Sequence, residues 1–94
     1  MLFRSIAAFA AAGEGRGLAP DLALTAAREA VLGSAWLAAT SEEPLAELAR
    51  RVTSPGGTTE AGLKVLDAEF PGLIDRTLVA ATARSAEMAA AIKS

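Results

Sequence analysis

Near the middle of the chain, Thr53-Ser54-Pro55-Gly56-Gly57-Thr58-Thr59-Glu60-Ala61-Gly62-Leu63 gathers a proline, paired glycines and four hydroxyl side chains into a few residues. Ser54 precedes a proline, which drives it toward extended backbone. Pro55 fixes φ and brings no N–H donor. Gly56 and Gly57 reach backbone angles closed to other residues and place no side chain in a ligand's way. A helix is expected to begin at about Thr58. Its first N–H groups have no partner within the helix, and the dipole there favours negative charge. Such a terminus can hold a carboxylate or phosphate, with the hydroxyls of Ser54, Thr58 and Thr59 as added donors and acceptors. A plainer reading explains the same residues. Pro-Gly-Gly makes turns, Thr58 is an ordinary N-cap, and the Glu60 carboxylate could itself occupy the dipole field.

Other candidates are weaker. Gly13-Glu14-Gly15-Arg16-Gly17 has a superficial likeness to a dinucleotide loop but lacks the preceding strand and the spacing, so a fraying helix end is favoured. Glu42 and Glu43 stand just before Pro44, where they suit a helix N-terminus. Arg50 and Arg51 suit the C-terminal end of a helix, and Trp36 suits a core or an interface. The 94 residues include no histidine and no cysteine. Zinc sites, Cys-His dyads and Ser-His-Asp triads are therefore excluded, and no metal is expected.

The elements that must position the central stretch come from an apolar, alanine-rich chain. Hydrophobic residues make up 52% and charged residues 21%, and about a quarter of all residues are alanine. Alanine is the best helix former and lets helices approach closely. One domain at most fits this length, and so small a chain with few bulky residues has trouble covering its own surface. An obligate oligomer, or part of something larger, is expected. The net charge of −2 and pI near 5.0 argue against a nucleic-acid partner. No apolar run is long enough to span a bilayer. The start Met1-Leu2-Phe3-Arg4 is followed by no convincing cleavage pattern. Absence of cysteine fits a reducing compartment, and the expected location is the cytoplasm.

The periodicity predicts an all-α chain of five helices. The first runs from about Leu2 to Arg16 with Phe3, Ile6, Phe9 and Ala10 on one face, and Gly17 takes positive φ beyond its end. The second opens at Pro20-Asp21 and continues to about Ala39, its stripe formed by Leu24, Ala27, Val31, Ala35 and Ala38 and widened by Leu32 and Trp36. A short third follows Pro44, with Leu45, Leu48, Ala49 and Val52 facing inward. The fourth covers about Thr58 to Glu69, with Ala61, Leu63, Val65 and Leu66 apolar. Phe70-Pro71-Gly72 reads as a corner. The fifth covers about Leu73 to Ile92, where Ile74, Leu78, Ala81, Ser85, Met88 and Ile92 form a short heptad-like seam.

The central stretch, taken with its flanks, resembles a known family. Leu48-Ala49-Arg50-Arg51-Val52-Thr53-Ser54-Pro55-Gly56-Gly57-Thr58-Thr59-Glu60-Ala61-Gly62-Leu63-Lys64-Val65-Leu66 is similar to the signature of pyrroline-5-carboxylate reductase, the enzyme of the last step of proline biosynthesis. Gly17-Leu18, Leu22-Ala23-Leu24, Val31-Leu32-Gly33-Ser34-Ala35, Leu73-Ile74-Asp75, Ala80-Ala81-Thr82 and Arg84-Ser85 agree with it. The resemblance covers essentially the whole chain and is to the C-terminal domain alone.

The resemblance implies an all-helical domain that intertwines with a second copy as a homodimer, with higher assembly left open. It implies an active site at that interface, facing the nicotinamide of NADPH or NADH held by a Rossmann domain. The imino acid substrate would be bound by Ser54, Gly56, Gly57, Thr58 and Thr59. The N–H groups around Thr58 and Thr59, helped by Ser54, would hold its carboxylate, and the Thr59 hydroxyl would meet the ring nitrogen as the catalytic contact. The family's Rossmann domain and the Gly-Ser-Gly-Pro-Ala segment that opens its first helix are missing from residues 1–94. The chain alone is thus expected to be a single dimerisation and substrate-binding domain that binds no cofactor and turns nothing over. The alternative is a free-standing helical oligomerisation module whose central stretch is only a turn.

Overall fold

The computed structural model describes residues 1–93. Among the described residues there are four helices and no strand: α1 (Leu2–Gly15), α2 (Pro20–Thr40), α3 (Leu45–Arg51) and α4 (Thr58–Lys93). They fall into two compact units, residues 1–48 and 49–94.

In the first unit α1 packs against α2. Gly17, at φ +105°, ends α1. Its N–H donates to Glu14 O at 3.0 Å, and the Leu18 N–H reaches back to Gly13 O at 3.1 Å. This paired 5→2 and 6→1 pattern is the Schellman motif, which needs a residue at positive φ just past the helix. Gly13 does not fray. A Cβ there would lie 3.3 Å from Leu18 Cδ1 and 3.5 Å from Ala23 Cβ, so its bare backbone sits in the contact between the helices. α2 then starts at Pro20, whose fixed φ suits the first helical position.

The residues buried here are small. Ala23 is 2% exposed, Ala27 7% and Ala10 8%. Ala23 and Ala27 lie one turn apart on α2, and Val31, one turn further on, is half-buried. The stripe expected on α2 therefore holds at Ala27 and Val31 but is centred one residue earlier, on Ala23. On α1, Ala10 is buried and Ile6 half-buried, whereas Phe3 and Phe9 are exposed.

The second unit begins within α3 and contains α4. Here the sequence expectation needs correction. The corner at Phe70-Pro71-Gly72 does not form: helices four and five are one 36-residue helix with Pro71 inside it. At 1.5 Å per residue its length is about 54 Å. Proline removes one helical N–H and crowds the carbonyl four residues back, at a cost of about 3 kcal/mol. Beyond Phe70 and Gly72, the flanks of Pro71 hold good helix formers: Leu66, Ala68 and Glu69 before it, Leu73 and Arg76 after it. The surrounding side chains are exposed, so water can hydrate the carbonyl left without its N–H. A local defect is then cheaper than ending one helix and starting another.

The inward faces expected on α3 and on the C-terminal seam are also exposed within this chain, except for Leu48, which is half-buried. Leu45 is 68% exposed, Val52 66% and Ile92 85%. All three phenylalanines and the tryptophan are uncovered as well, Phe3 by 88% and Trp36 by 65%. Periodicity identifies the apolar face of a helix, not what covers it.

Two outcomes are expected from urea unfolding followed by circular dichroism. Pro71→Ala raises helicity and stability, by up to about 3 kcal/mol; an unchanged or lowered midpoint contradicts a helix running through residue 71. Ala23→Leu overpacks the α1–α2 contact and destabilises by about 1–3 kcal/mol; a neutral result means that the contact is not close-packed.

Candidate functional site

The candidate site is built between the end of α3 and the start of α4. α3 is short, and Thr53 closes its C-terminal end. The Thr53 N–H donates to Arg50 O at 3.2 Å. The Thr53 hydroxyl donates to Ala49 O at 2.7 Å. Two residues past the helix, the chain is thus still tied to its last turn.

A tight turn follows. The Gly57 N–H donates to Ser54 O at 2.9 Å, enclosing Pro55 and Gly56. Gly56 has φ +72°. Proline at the second position and positive φ at the third define a type II turn, which selects glycine at that third position. Gly57 is constrained for a different reason. A Cβ there would stand 3.1 Å from Ser54 O and 3.3 Å from Ser54 Cβ, closer than the turn allows without shifting.

α4 begins immediately. The Ala61 N–H donates to Gly57 O at 3.2 Å. Gly57 is therefore the N-cap, and Thr58, Thr59 and Glu60 occupy the first three helical positions. The plainer reading of Thr58 as the N-cap is displaced by one residue. The Gly57 N–H is committed to the turn. The N–H groups of Thr58, Thr59 and Glu60 are those for which an α-helix provides no carbonyl. They point out of a helix end whose dipole amounts to roughly half a positive charge.

Glu60, in the first turn of α4, shares that field. Its Oε1 lies 4.0 Å from Lys64 Nζ, one turn further along α4. This exposed pair contributes at most about 1 kcal/mol and draws part of the carboxylate's charge toward Lys64. Thr58 and Thr59 are exposed, while Gly57 and Glu60 are half-buried. Ser54, Gly56, Gly57, Thr58 and Thr59 are thus brought together by one turn and the first turn of one helix. The arrangement can accept an anion on backbone N–H groups and offers hydroxyls at its rim.

Thr53 was missed as part of this assembly. A hydroxyl residue just past a helix that ends in Arg50-Arg51 is a signal for back-bonding to the last carbonyls, and it stands beside the turn residues. The other sequence candidates lie elsewhere. Gly13 to Gly17 form the C-terminal end of α1, with the N–H groups of Arg16, Gly17 and Leu18 all bonded to α1 carbonyls, so no phosphate-cradling loop exists there. The Glu43 N–H bonds to Ser41 Oγ at 3.1 Å, in the connection before α3. No cluster of three or more potential metal-ligating side chains occurs among the described residues. No helix among them is long and apolar enough to cross a membrane.

Comparison with known proteins bears on the same stretch. Residues 1–88 match the family described as pyrroline-5-carboxylate reductase dimerisation. A pyrroline-5-carboxylate reductase of Pseudomonas aeruginosa is 48% identical over 79 residues, which are 83% of this chain and 29% of that protein. A pyrroline-5-carboxylate reductase of Pisum sativum is 42% identical over 88 residues, 93% of this chain and 32% of that protein. The chain therefore spans about three tenths of the length of the curated relatives it matches. A crystal structure of Plasmodium falciparum pyrroline carboxylate reductase with NADP bound superposes with a TM-score of 0.75 at 26% identity, over 85% of this chain and 30% of that one. With the all-helical fold, the Ser54–Thr59 motif and a family match over nearly its full length, the chain belongs to the pyrroline-5-carboxylate reductase dimerisation family.

Proposed function

We propose that this chain is the dimerisation and substrate-binding part of a pyrroline-5-carboxylate reductase, which reduces 1-pyrroline-5-carboxylate to proline with NADPH or NADH. The observation that carries the reading is the start of α4. Three N–H groups without helical partners follow a type II turn whose Gly56 and Gly57 carry no side chain. A five-membered imino acid presents one carboxylate and one ring nitrogen. The carboxylate accepts from the N–H groups of Thr58 and Thr59, with the Ser54 hydroxyl as a further donor, and the helix dipole favours its charge. The Thr59 hydroxyl lies beside these N–H groups and is the group assigned to the ring nitrogen, the catalytic contact of this chain. Bare glycine backbone leaves room for the ring.

The nicotinamide cofactor does not fit the residues described. A dinucleotide site of the Rossmann kind needs a strand, a glycine-rich loop and a helix N-terminus. The described residues contain no strand; Gly13 to Gly17 close a helix, and the Gly56-Gly57 turn that opens α4 follows a helix, not a strand. The chain's own part is to bind and orient the imino acid.

The second half of the reading is a homodimer. Each unit leaves bulky apolar side chains uncovered, which so small a chain has trouble hiding alone. An obligate dimer interface covers about 2,000–5,000 Å2 across both partners. Exposed Phe9, Leu32, Trp36 and Leu78 supply apolar surface for it.

Two measurements test the proposal. Titrating L-proline into the labelled chain should move the Thr58 and Thr59 amides first, and Thr59→Val should weaken that binding about tenfold. Amides at 58 and 59 that stay still while others respond would overturn the site. Gly57→Val is a poor probe, because the new side chain also strikes Ser54 O. Light scattering at micromolar concentration should return about twice the 9.5 kDa of one chain, and a monomer refutes the dimer.

A further inference from the structure

We infer that Thr53 is a positioning residue for the substrate loop, acting through its hydroxyl on the end of α3. The inference rests on the carboxylate-binding reading of Thr58 and Thr59.

In an uninterrupted helix the Ala49 carbonyl would accept from the amide of residue 53, four positions on. Here that amide has moved to Arg50 O, at 3.2 Å, tightening the last turn. Ala49 O would lose its partner, but the Thr53 hydroxyl takes the place of the amide at 2.7 Å. One residue therefore holds two successive carbonyls of α3, with its backbone on one and its side chain on the other.

The location of this double hold is what matters. Ser54, the next residue, supplies the carbonyl that accepts from Gly57 and closes the type II turn. Gly57 in turn supplies the carbonyl that accepts from Ala61 and starts α4. Every backbone link from α3 to the Thr58 and Thr59 amides thus follows from the direction in which the chain leaves Thr53. Pro55 and Gly56 settle the conformation within the turn, but neither ties the turn to anything. The Thr53 N–H and hydroxyl together are that tie, and the hydroxyl makes the shorter of the two bonds. Without the hydroxyl, the tie is left to the single 3.2 Å bond of the Thr53 N–H, and the turn, with its closing Gly57 bond, opens more often.

Valine has nearly the shape of threonine and no hydroxyl, and serine keeps the hydroxyl without the methyl. The test compares the 94-residue chain with its Thr53→Val and Thr53→Ser forms by amide hydrogen exchange without ligand, by L-proline titration and by thermal melting. Thr53→Val is expected to speed exchange at Gly57 and to weaken proline binding, each about three- to tenfold, with exchange in α1 and α2 unchanged. Thr53→Ser is expected to restore both. Unchanged Gly57 exchange and proline affinity in Thr53→Val overturns the inference. So does faster exchange spread evenly over the chain with a matching loss of melting temperature, which marks a merely structural residue. If the unsubstituted chain shows no proline-dependent shift at Thr58 and Thr59, the binding reading fails instead, and Gly57 exchange still decides whether Thr53 orients the loop.

Discussion

Ala10, Ala23 and Ala27 are the residues most completely removed from water where α1 meets α2, and an alanine contact buries little apolar area per residue. At about 0.8 kcal/mol for each buried methyl-sized group, three alanines stabilise a helix pair only weakly. What the contact offers is closeness. Gly13 and Ala23 let the backbones approach, and the Schellman closure at Gly17 turns the chain so that they meet. The bulky residues are left on other faces: Phe9, Leu32 and Trp36 in the first unit, Val65 and Leu78 in the second. The arrangement is physically coherent if the missing cover comes from outside the chain, which is why a second copy is part of the proposed function.

The same economy of side chains governs the candidate site. Binding there is assigned to backbone amides made available by the start of a helix and kept clear by glycine. A site of this kind uses no strongly basic side chain and no titrating group near neutral pH. It depends on backbone geometry, since an N–H donor misplaced by a fraction of an ångström loses its bond. Gly56 supplies the required φ, Gly57 the required clearance, and Thr53 the tie to α3. Binding specificity for a small carboxylate would then be a property of three turns of backbone rather than of a pocket lined by reactive groups.

Among the described residues there are helices and no strand. A division of labour follows from the fold itself. Helices present amides and hydroxyls at their ends, whereas the nucleotide site of the Rossmann kind requires a strand feeding a glycine-rich turn. In the proposed function, the all-α segment holds the acid end of the imino acid and brings two copies together.

Much of this was legible in the sequence. Alanine content and 3.6-residue periodicity determine that the chain is helical, Pro20 and Gly17 mark helix boundaries, and Ser54-Pro55-Gly56-Gly57-Thr58-Thr59 marks both the turn and the family. These features are local, set by φ preferences and by donors within a few residues. Tertiary structure decided what depends on neighbours. Periodicity shows that Leu45, Val52 and Ile92 lie on apolar faces, but not whether the chain itself covers them. Proline and glycine at 71 and 72 suggest a corner from local preference, yet helix formers on both sides keep α4 continuous. Gly13 reads as a weak point until Leu18 and Ala23 are brought against it. Thr53 reads as one more polar residue until α3 ends in a way that frees the Ala49 carbonyl for its hydroxyl. In each case sequence supplied the side chain, and only the fold supplied the group it meets.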